Sequence, residues 1–220
     1  MTSGAPRIYV CLVAGATSKL PLDEYQDLVR TTGLITELVV LDEAWTREAA
    51  ASSDPATRDD GRVEQLSGVV DRLDQLYGEI EALGPRLSEI FRAREALLRD
   101  RYEALTTDDA EDRPRIPGTR SLSPEERRKL RAFVEEHGRG DVVGLVTNAA
   151  YQFGEQSGTE RQNLRAEYDT IRRGGTSAGD MDPDFQIWVQ AVALAATIAL
   201  GPEAGGVVEA IGGLISWIFG

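Results

Sequence analysis

Three aspartates stand at alternate positions, Asp180, Asp182 and Asp184, as carboxylates do at the start of a calcium-binding loop. Such a loop also needs a turn glycine and a bidentate glutamate at its twelfth position. Here that glycine is missing, and the twelfth position holds Ala191. Because Pro183 suits the first position of a helix, we predict that Asp182 is a helix N-cap and that the chain binds no metal.

Other residue types that carry catalysis are scarce. The 220-residue chain has one cysteine, Cys11, within an apolar run, and one histidine, His137, in the last turn of a predicted helix. Cys11 is therefore expected to be a small buried side chain rather than a nucleophile. His137 is expected to interact with the helix dipole rather than to act as a catalytic base. The sequence has no P-loop, dinucleotide-binding glycine pattern, His-Glu-x-x-His motif or Gly-x-Ser-x-Gly elbow. We therefore predict a protein that is not an enzyme and has no cofactor.

The charge balance excludes several partner classes. The chain carries 37 acidic and 24 Lys and Arg residues, for a formal net charge of −13. Nucleic-acid binding needs a basic face, and anionic lipid repels an acidic protein, so neither mode of electrostatic binding is expected. A single cysteine excludes a disulfide framework, and we predict a protein made in the cytoplasm. Residues 8–16 form a short apolar run that we interpret as a buried strand or helix, with a secretory signal as the alternative.

Apolar spacing predicts a mainly α-helical protein. Residues 22–51 fit a helix, with a β-α-β unit containing a strand at 34–41 as the rival interpretation. Residues 62–105 form a long helical stretch whose charges lie off one apolar row, and Gly84-Pro85 is expected to kink or restart it. That row has coiled-coil spacing and pairs either within one chain or between chains; it comprises Val63, Leu66, Val70, Leu73, Tyr77 and Ile80.

A turn-rich, acidic stretch at 106–122 predicts a linker between an N-terminal region, 1–105, and a C-terminal helical region, 123–220. The segment Ser123-Pro124-Glu125-Glu126 has the order of a capping box, and that helix is expected to stop at Gly138.

Three further boundaries follow from turn and cap residues in the C-terminal region. We predict that Asp141 and Thr159 cap two more helices. The second of these is expected to end at Gly174-Gly175.

The final segment, residues 185–220, predicts a hydrophobic helical hairpin. Residues 185–200 carry no charge, Gly201-Pro202-Glu203 forms the turn, and Glu209 is the only charge in the second arm, 204–220. Small residues at helical spacing allow two helices to approach closely, and indoles favour the membrane interface. The residues predicted to insert or to pack in this hairpin are Trp188, Ala191, Ala195, Ala199, Glu209, Gly212, Gly213 and Trp217.

Helix length argues against a permanent anchor. The 16 uncharged residues of the first arm reach about 24 Å, short of a hydrocarbon core of about 30 Å. A charged Glu209 would add a cost of about 3 kcal/mol at mid-bilayer. These arms therefore have the character of segments that stay buried in a soluble form and insert conditionally.

In pattern, residues 185–220 resemble the hydrophobic hairpin of colicin-type pore-forming toxins and the translocation domain of diphtheria toxin. In those families a helical bundle shields an apolar hairpin that enters the membrane. The resemblance implies a toxin-like or cell-death effector that permeabilises a lipid membrane as a homo-oligomer. This chain departs from those families in having no Lys or Arg after Arg173. Low pH, a protein activator or oligomerisation would have to overcome the resulting repulsion from anionic lipid.

Two other interpretations of the hairpin are open. A helix that is apolar on every face suits a protein core as well as a membrane. The hairpin is then either the centre of a soluble helical adaptor or, if several copies pool their C-termini, the oligomer core of a self-assembling structural protein.

Overall fold

The computed structural model describes residues 20–53, 60–107, 122–176 and 181–201. These residues form helices and no strand, which confirms the mainly α-helical prediction. The predicted elements at 8–16 and 202–220, and most of the predicted linker, lie outside the described residues. The helices are α1 (Leu22–Ser53), α2 (Asp60–Ala93), α3 (Glu95–Thr106), α4 (Pro124–Gly138), α5 (Val142–Arg172) and α6 (Pro183–Leu200).

Helices α2 and α5 form the largest helix–helix interface among the described residues. They run antiparallel, since Asp74 in the first half of α2 pairs with Arg161 in the second half of α5, while Ser88 donates to the Thr147 carbonyl at 3.5 Å. Helix α1 lies along α2, and α6 packs against α5, α1 and α3. The apolar faces of these helices share one core.

The α2–α5 crossing depends on two glycines. A Cβ on Gly84 would lie 2.6 Å from the Gly154 Cα and 2.9 Å from the Ala150 carbonyl oxygen. Because both contacts are with backbone atoms, a side chain there would push the helices apart. On α5, Ala150, Gly154 and Gly158 stand four residues apart, the spacing that allows close helix approach.

The predicted restart of the helix at Gly84-Pro85 is wrong, and the alternative, a kink at that point, stays a prediction. Helix α2 continues through Pro85 to Ala93, and the break comes at Arg94. Packing against α5 at Gly84 stabilises the helical backbone beside the proline, and tertiary contacts of this kind outweigh local propensity. The apolar row of α2 faces the core of its own chain, with five members buried: Leu66, Val70, Leu73, Tyr77 and Ile80.

The cap predictions for α4 and the start of α5 are confirmed, and only the role of Gly138 differs from the expected one. Ser123 and Glu126 form the predicted capping box, and the Asp141 side chain accepts from the Val143 amide. Helix α4 includes Gly138, and the left-handed residue at its end is Arg139, with φ 52°. A Cβ on Gly138 would lie 2.8 Å from the Leu145 Cβ, so this glycine serves packing.

Two sequence interpretations are wrong because tertiary packing extends the helices. Thr159 caps no helix, since α5 runs unbroken from Val142 to Arg172 while packed along α2. The predicted end of α5 is confirmed, because Gly174 follows it with φ 89°. The alternative strand at 34–41 is also wrong: α1 is helical there, and Leu34, Ile35 and Leu38 are buried at helical spacing.

Candidate functional site

Helix α6 is the first arm of the predicted hairpin, and its second half is enclosed by the protein. Every residue from 191 to 200 is buried. The 18-residue helix has a mean hydropathy of 1.3, and 67% of it is buried. Among the described residues it is the one helix whose length and apolarity meet the criteria for crossing a membrane.

The start of α6 is held by a polar cap. Asp182 Oδ1 accepts from the Asp184 amide at 2.8 Å and from the Phe185 amide at 3.2 Å, which confirms the predicted N-cap. The Asp182 amide donates to a carboxylate oxygen of Glu160 on α5 at 3.4 Å. The cap therefore joins the first turn of α6 to α5.

Aromatic packing anchors the same turn. The Phe185 ring is fully buried and stacks on Phe153 of α5, with ring centroids 5.9 Å apart and an interplanar angle of 14°. It also meets Tyr77 of α2 at 6.0 Å in a tilted arrangement. Aromatic pairs of this geometry contribute about 1 kcal/mol beyond the area that they bury.

The predicted alanine row lies in the protein core. Ala191, Ala195 and Ala199 are each 0% exposed, in a helix that contacts α5, α1 and α3. The other predicted arm residues, Glu209, Gly212, Gly213 and Trp217, lie outside the described residues, so packing between the two arms stays a prediction.

Trp188 lies near the start of α6 with its indole N–H buried. Its ring is half-buried, but Nε1 is enclosed and has no hydrogen-bond acceptor among the described residues. An enclosed donor without an acceptor costs about 1–3 kcal/mol. Within the part of the chain that the structure describes, this donor therefore has no acceptor.

Arg101 of α3 caps the other end of α6, a role that no sequence pattern indicates. Its Nη1 donates to the Ile198 carbonyl at 2.8 Å and to the Ala199 carbonyl at 2.6 Å. Gly201 follows with φ 60°, and any side chain there would collide with the Arg101 guanidinium. Nothing in the sequence marks Arg101, because it lies almost a hundred residues from its acceptors.

Replacing Arg101 with leucine should lower the free energy of unfolding by about 2 kcal/mol, because two carbonyls at the end of α6 lose a charged donor. Urea unfolding followed by circular dichroism measures this. The matched control is Arg99→Leu on the same helix, whose partners Glu95 and Asp141 are exposed, so that loss should stay below about 1 kcal/mol. Equal losses would show that the cap does not hold α6.

Helix α1, one of the helices packed on α6, is attached to α2 by ion pairs. The Arg72 guanidinium binds Glu37 through two hydrogen bonds of 2.6 Å, and Arg30 contacts Glu79 at 2.9 Å. At the start of α1, Glu24 contacts Arg94 at 2.7 Å. These pairs are partly exposed, so each contributes modestly and is weakened by salt.

Hydrogen bonds from arginines lower the pKa values of several carboxyls between helices. Arg72 lowers the pKa of Glu37, and Arg30 lowers that of Glu79. Between α2 and α5, the pKa of Asp74 is lowered mainly by Arg161 and further by Arg165. The contacts that join α1 to α2, and α2 to α5, therefore depend on ionised carboxylates.

No protein-family model, curated protein or solved structure matches this chain.

Proposed function

We propose that this protein is a conditional membrane-inserting effector that permeabilises a lipid bilayer after α6 leaves the bundle. The observation that carries the proposal is α6 itself, an 18-residue apolar helix with one acidic residue, Asp184, in its first turn. A core helix of a soluble protein meets the same criteria. The proposal therefore also depends on the contacts that hold α6 and on how α1, which packs against it, is attached to the bundle.

Apolar contacts and end caps hold α6 in place. Asp184, the only charged residue of α6, forms no ion pair with a described residue. No charge on α6 thus needs to be separated from a buried partner when the helix leaves. The enclosed Trp188 indole also favours departure, because a membrane interface offers it hydrogen-bond acceptors.

Helix α1, which packs on α6, is attached by ion pairs that acid or high salt can weaken. The helix is bound to α2 by the pairs Arg72–Glu37 and Arg30–Glu79. Acid protonates these carboxylates, and high salt screens them. Either condition, or a protein that competes for α1, would expose α6 without breaking a covalent bond.

The pH dependence of stability should have two parts of opposite sign. Glu37, Asp74 and Glu79 have lowered pKa values, so their stabilisation is present at neutral pH and is lost as pH falls below the ordinary carboxyl pKa of about 4 and through those lowered values. Burial raises the pKa of Glu160, so its charged form destabilises the fold and stability rises as pH falls through that raised value.

Unfolding measured across the pH range should therefore show a stability maximum in mild acid and a steep fall below about pH 4. In Glu160→Gln the rise from neutral to mildly acidic pH should disappear, while the steep fall remains. A steep fall that began at neutral pH would contradict the assignment of the acid response to these ion pairs.

The outer face of α1 supports the oligomeric part of the proposal. Leu22, Val29 and Val40 are 71%, 44% and 60% exposed and lie on one face of the helix. Gly33 lies on the same face with open space around its Cα. This face also favours the second candidate, a self-assembling structural protein. Sedimentation at increasing concentration without lipid distinguishes this candidate from the membrane-inserting effector. Ordered assemblies under these conditions would favour the structural protein.

Dye release from liposomes tests the proposed function. The full chain should release trapped dye from vesicles below about pH 4, where the ion pairs begin to be lost, and should release little at neutral pH. No release under either condition, with a stable monomer retained, would contradict the proposal and favour a soluble adaptor.

A further inference from the structure

A cleft of about 430 Å³ lies where α1, α2, α5 and the start of α6 meet. Its volume falls within the range of pockets that bind small molecules. Its walls include Asp42 and Trp45 of α1, Tyr77 of α2, Glu160 of α5 and the α6 cap residue Asp182. No sequence motif predicted this cleft, because its walls come from four separate parts of the chain.

The cleft is strongly acidic. Asp42, Glu160, Glu167 and Asp182 all line it, and no Lys or Arg of the described residues does. Glu160 is only 8% exposed, and its carboxylate is held by the Asn163 side-chain amide at 3.5 Å and the Asp182 backbone amide at 3.4 Å. These two long hydrogen bonds compensate the buried charge incompletely, and a cation in the cleft would supply the missing partner.

The Tyr77 hydroxyl is a second, independent feature of the cleft. Tyr77 lines the cleft and is 3% exposed, and its hydroxyl forms no hydrogen bond with any described residue. Burial, with the nearby charges of Asp42, Glu160 and Glu167, raises the pKa of Tyr77. The hydroxyl is thus a neutral polar group on the wall of an acidic cleft, without a partner in the described part of the chain and therefore open to an occupant of the cleft.

The walls favour an organic cation over a metal ion. No three His, Cys, Asp or Glu side chains among the described residues lie close enough together to hold a metal. Trp45, also 3% exposed, adds an aromatic surface beside Tyr77 and the carboxylates. Carboxylates with aromatic rings bind ammonium groups through charge, hydrogen bonds and cation–π contact.

We propose that this cleft is a binding site for a small organic ammonium compound, with Glu160 as the principal anion and the Tyr77 hydroxyl as a hydrogen-bond partner. The site includes the N-cap of α6, so an occupant joins α1, α2 and α5 to the start of that helix. Ligand binding therefore stabilises the state in which α6 is docked. The binding itself does not depend on the proposed membrane insertion.

Titration calorimetry on the full chain with putrescine, a linear diamine, tests the site. We expect saturable binding at one site per chain, an affinity at least about tenfold lower in Glu160→Gln, and a smaller loss in Tyr77→Phe. The neutral analogue butanediol should not bind. The matched control Glu125→Gln removes an exposed carboxylate on α4 and should bind like the parent protein.

Three results would overturn the proposal: no saturable binding of putrescine, equal binding of butanediol, or unchanged affinity in Glu160→Gln. Circular dichroism of each variant shows whether it is folded. Tyr77→Phe keeps the ring and removes only the hydroxyl, so it tests the site independently if Glu160→Gln fails to fold. A rise in melting temperature with putrescine in the parent protein, absent in the variants, should accompany binding.

Discussion

Replacing Gly84 with alanine should lower the free energy of unfolding by about 3 kcal/mol, although alanine is the better helix former. The added Cβ would lie 2.6 Å from the Gly154 Cα and 2.9 Å from the Gly154 nitrogen. Neither backbone atom can move without shifting α5, and the core between α2 and α5 would lose close packing. Urea unfolding followed by circular dichroism measures the effect.

The same substitution elsewhere on α2 should have the opposite sign. A Cβ on Gly68 would meet no other atom within 4 Å, so Gly68→Ala should raise stability by about 1 kcal/mol through helix propensity alone. The reciprocal change Gly154→Ala, whose Cβ would lie 3.0 Å from the Gly84 Cα, should also destabilise the fold. If Gly84→Ala and Gly68→Ala had the same sign, the close crossing of α2 and α5 would be contradicted.

Placing arginine at Gln190 should reduce insertion about 100-fold, because a charge near the centre of a membrane-spanning helix costs about 3 kcal/mol. Gln190 lies near the middle of α6 and is half-buried, so an arginine can extend its charged end towards solvent in the closed bundle. The measurement is the fraction of protein that floats with liposomes below about pH 4.

The matched control for this substitution is Gln186→Arg. Gln186 is exposed in the first turn of α6, which would lie at the membrane interface, where a charge costs little. Circular dichroism at neutral pH should show both variants folded. Equal insertion of the two variants would mean that α6 does not enter the hydrocarbon.

Local signals predicted the ends of several elements but not their continuity. The Ser123 capping box and the Asp141 and Asp182 caps could be predicted because each depends on residues within one turn. The restart predicted at Pro85 and the cap predicted at Thr159 were wrong because contacts between α2 and α5 outweigh these local preferences. Those contacts join residues about seventy positions apart and leave no local trace.

The candidate site could be predicted only in part for the same reason. Residues 185–200 were recognisable as a helix without charges, and α6 occupies almost that range. The Arg101 cap and the acidic cleft come from distant segments, so no spacing marks them. The sequence contains a row of small residues at Ala150, Gly154 and Gly158, but such a row does not show which helix packs against it.

The central claim is that α6 exchanges protein neighbours for lipid. A fluorophore attached to a single cysteine, Gln190→Cys in a Cys11→Ser background, tests it on vesicles with quenchers on either acyl chains or headgroups. Below about pH 4 the acyl-chain quencher should quench the probe more strongly than the headgroup quencher, and neither should act at neutral pH. A probe that escapes both quenchers, while near-ultraviolet circular dichroism shows that the bundle has opened, would contradict the claim.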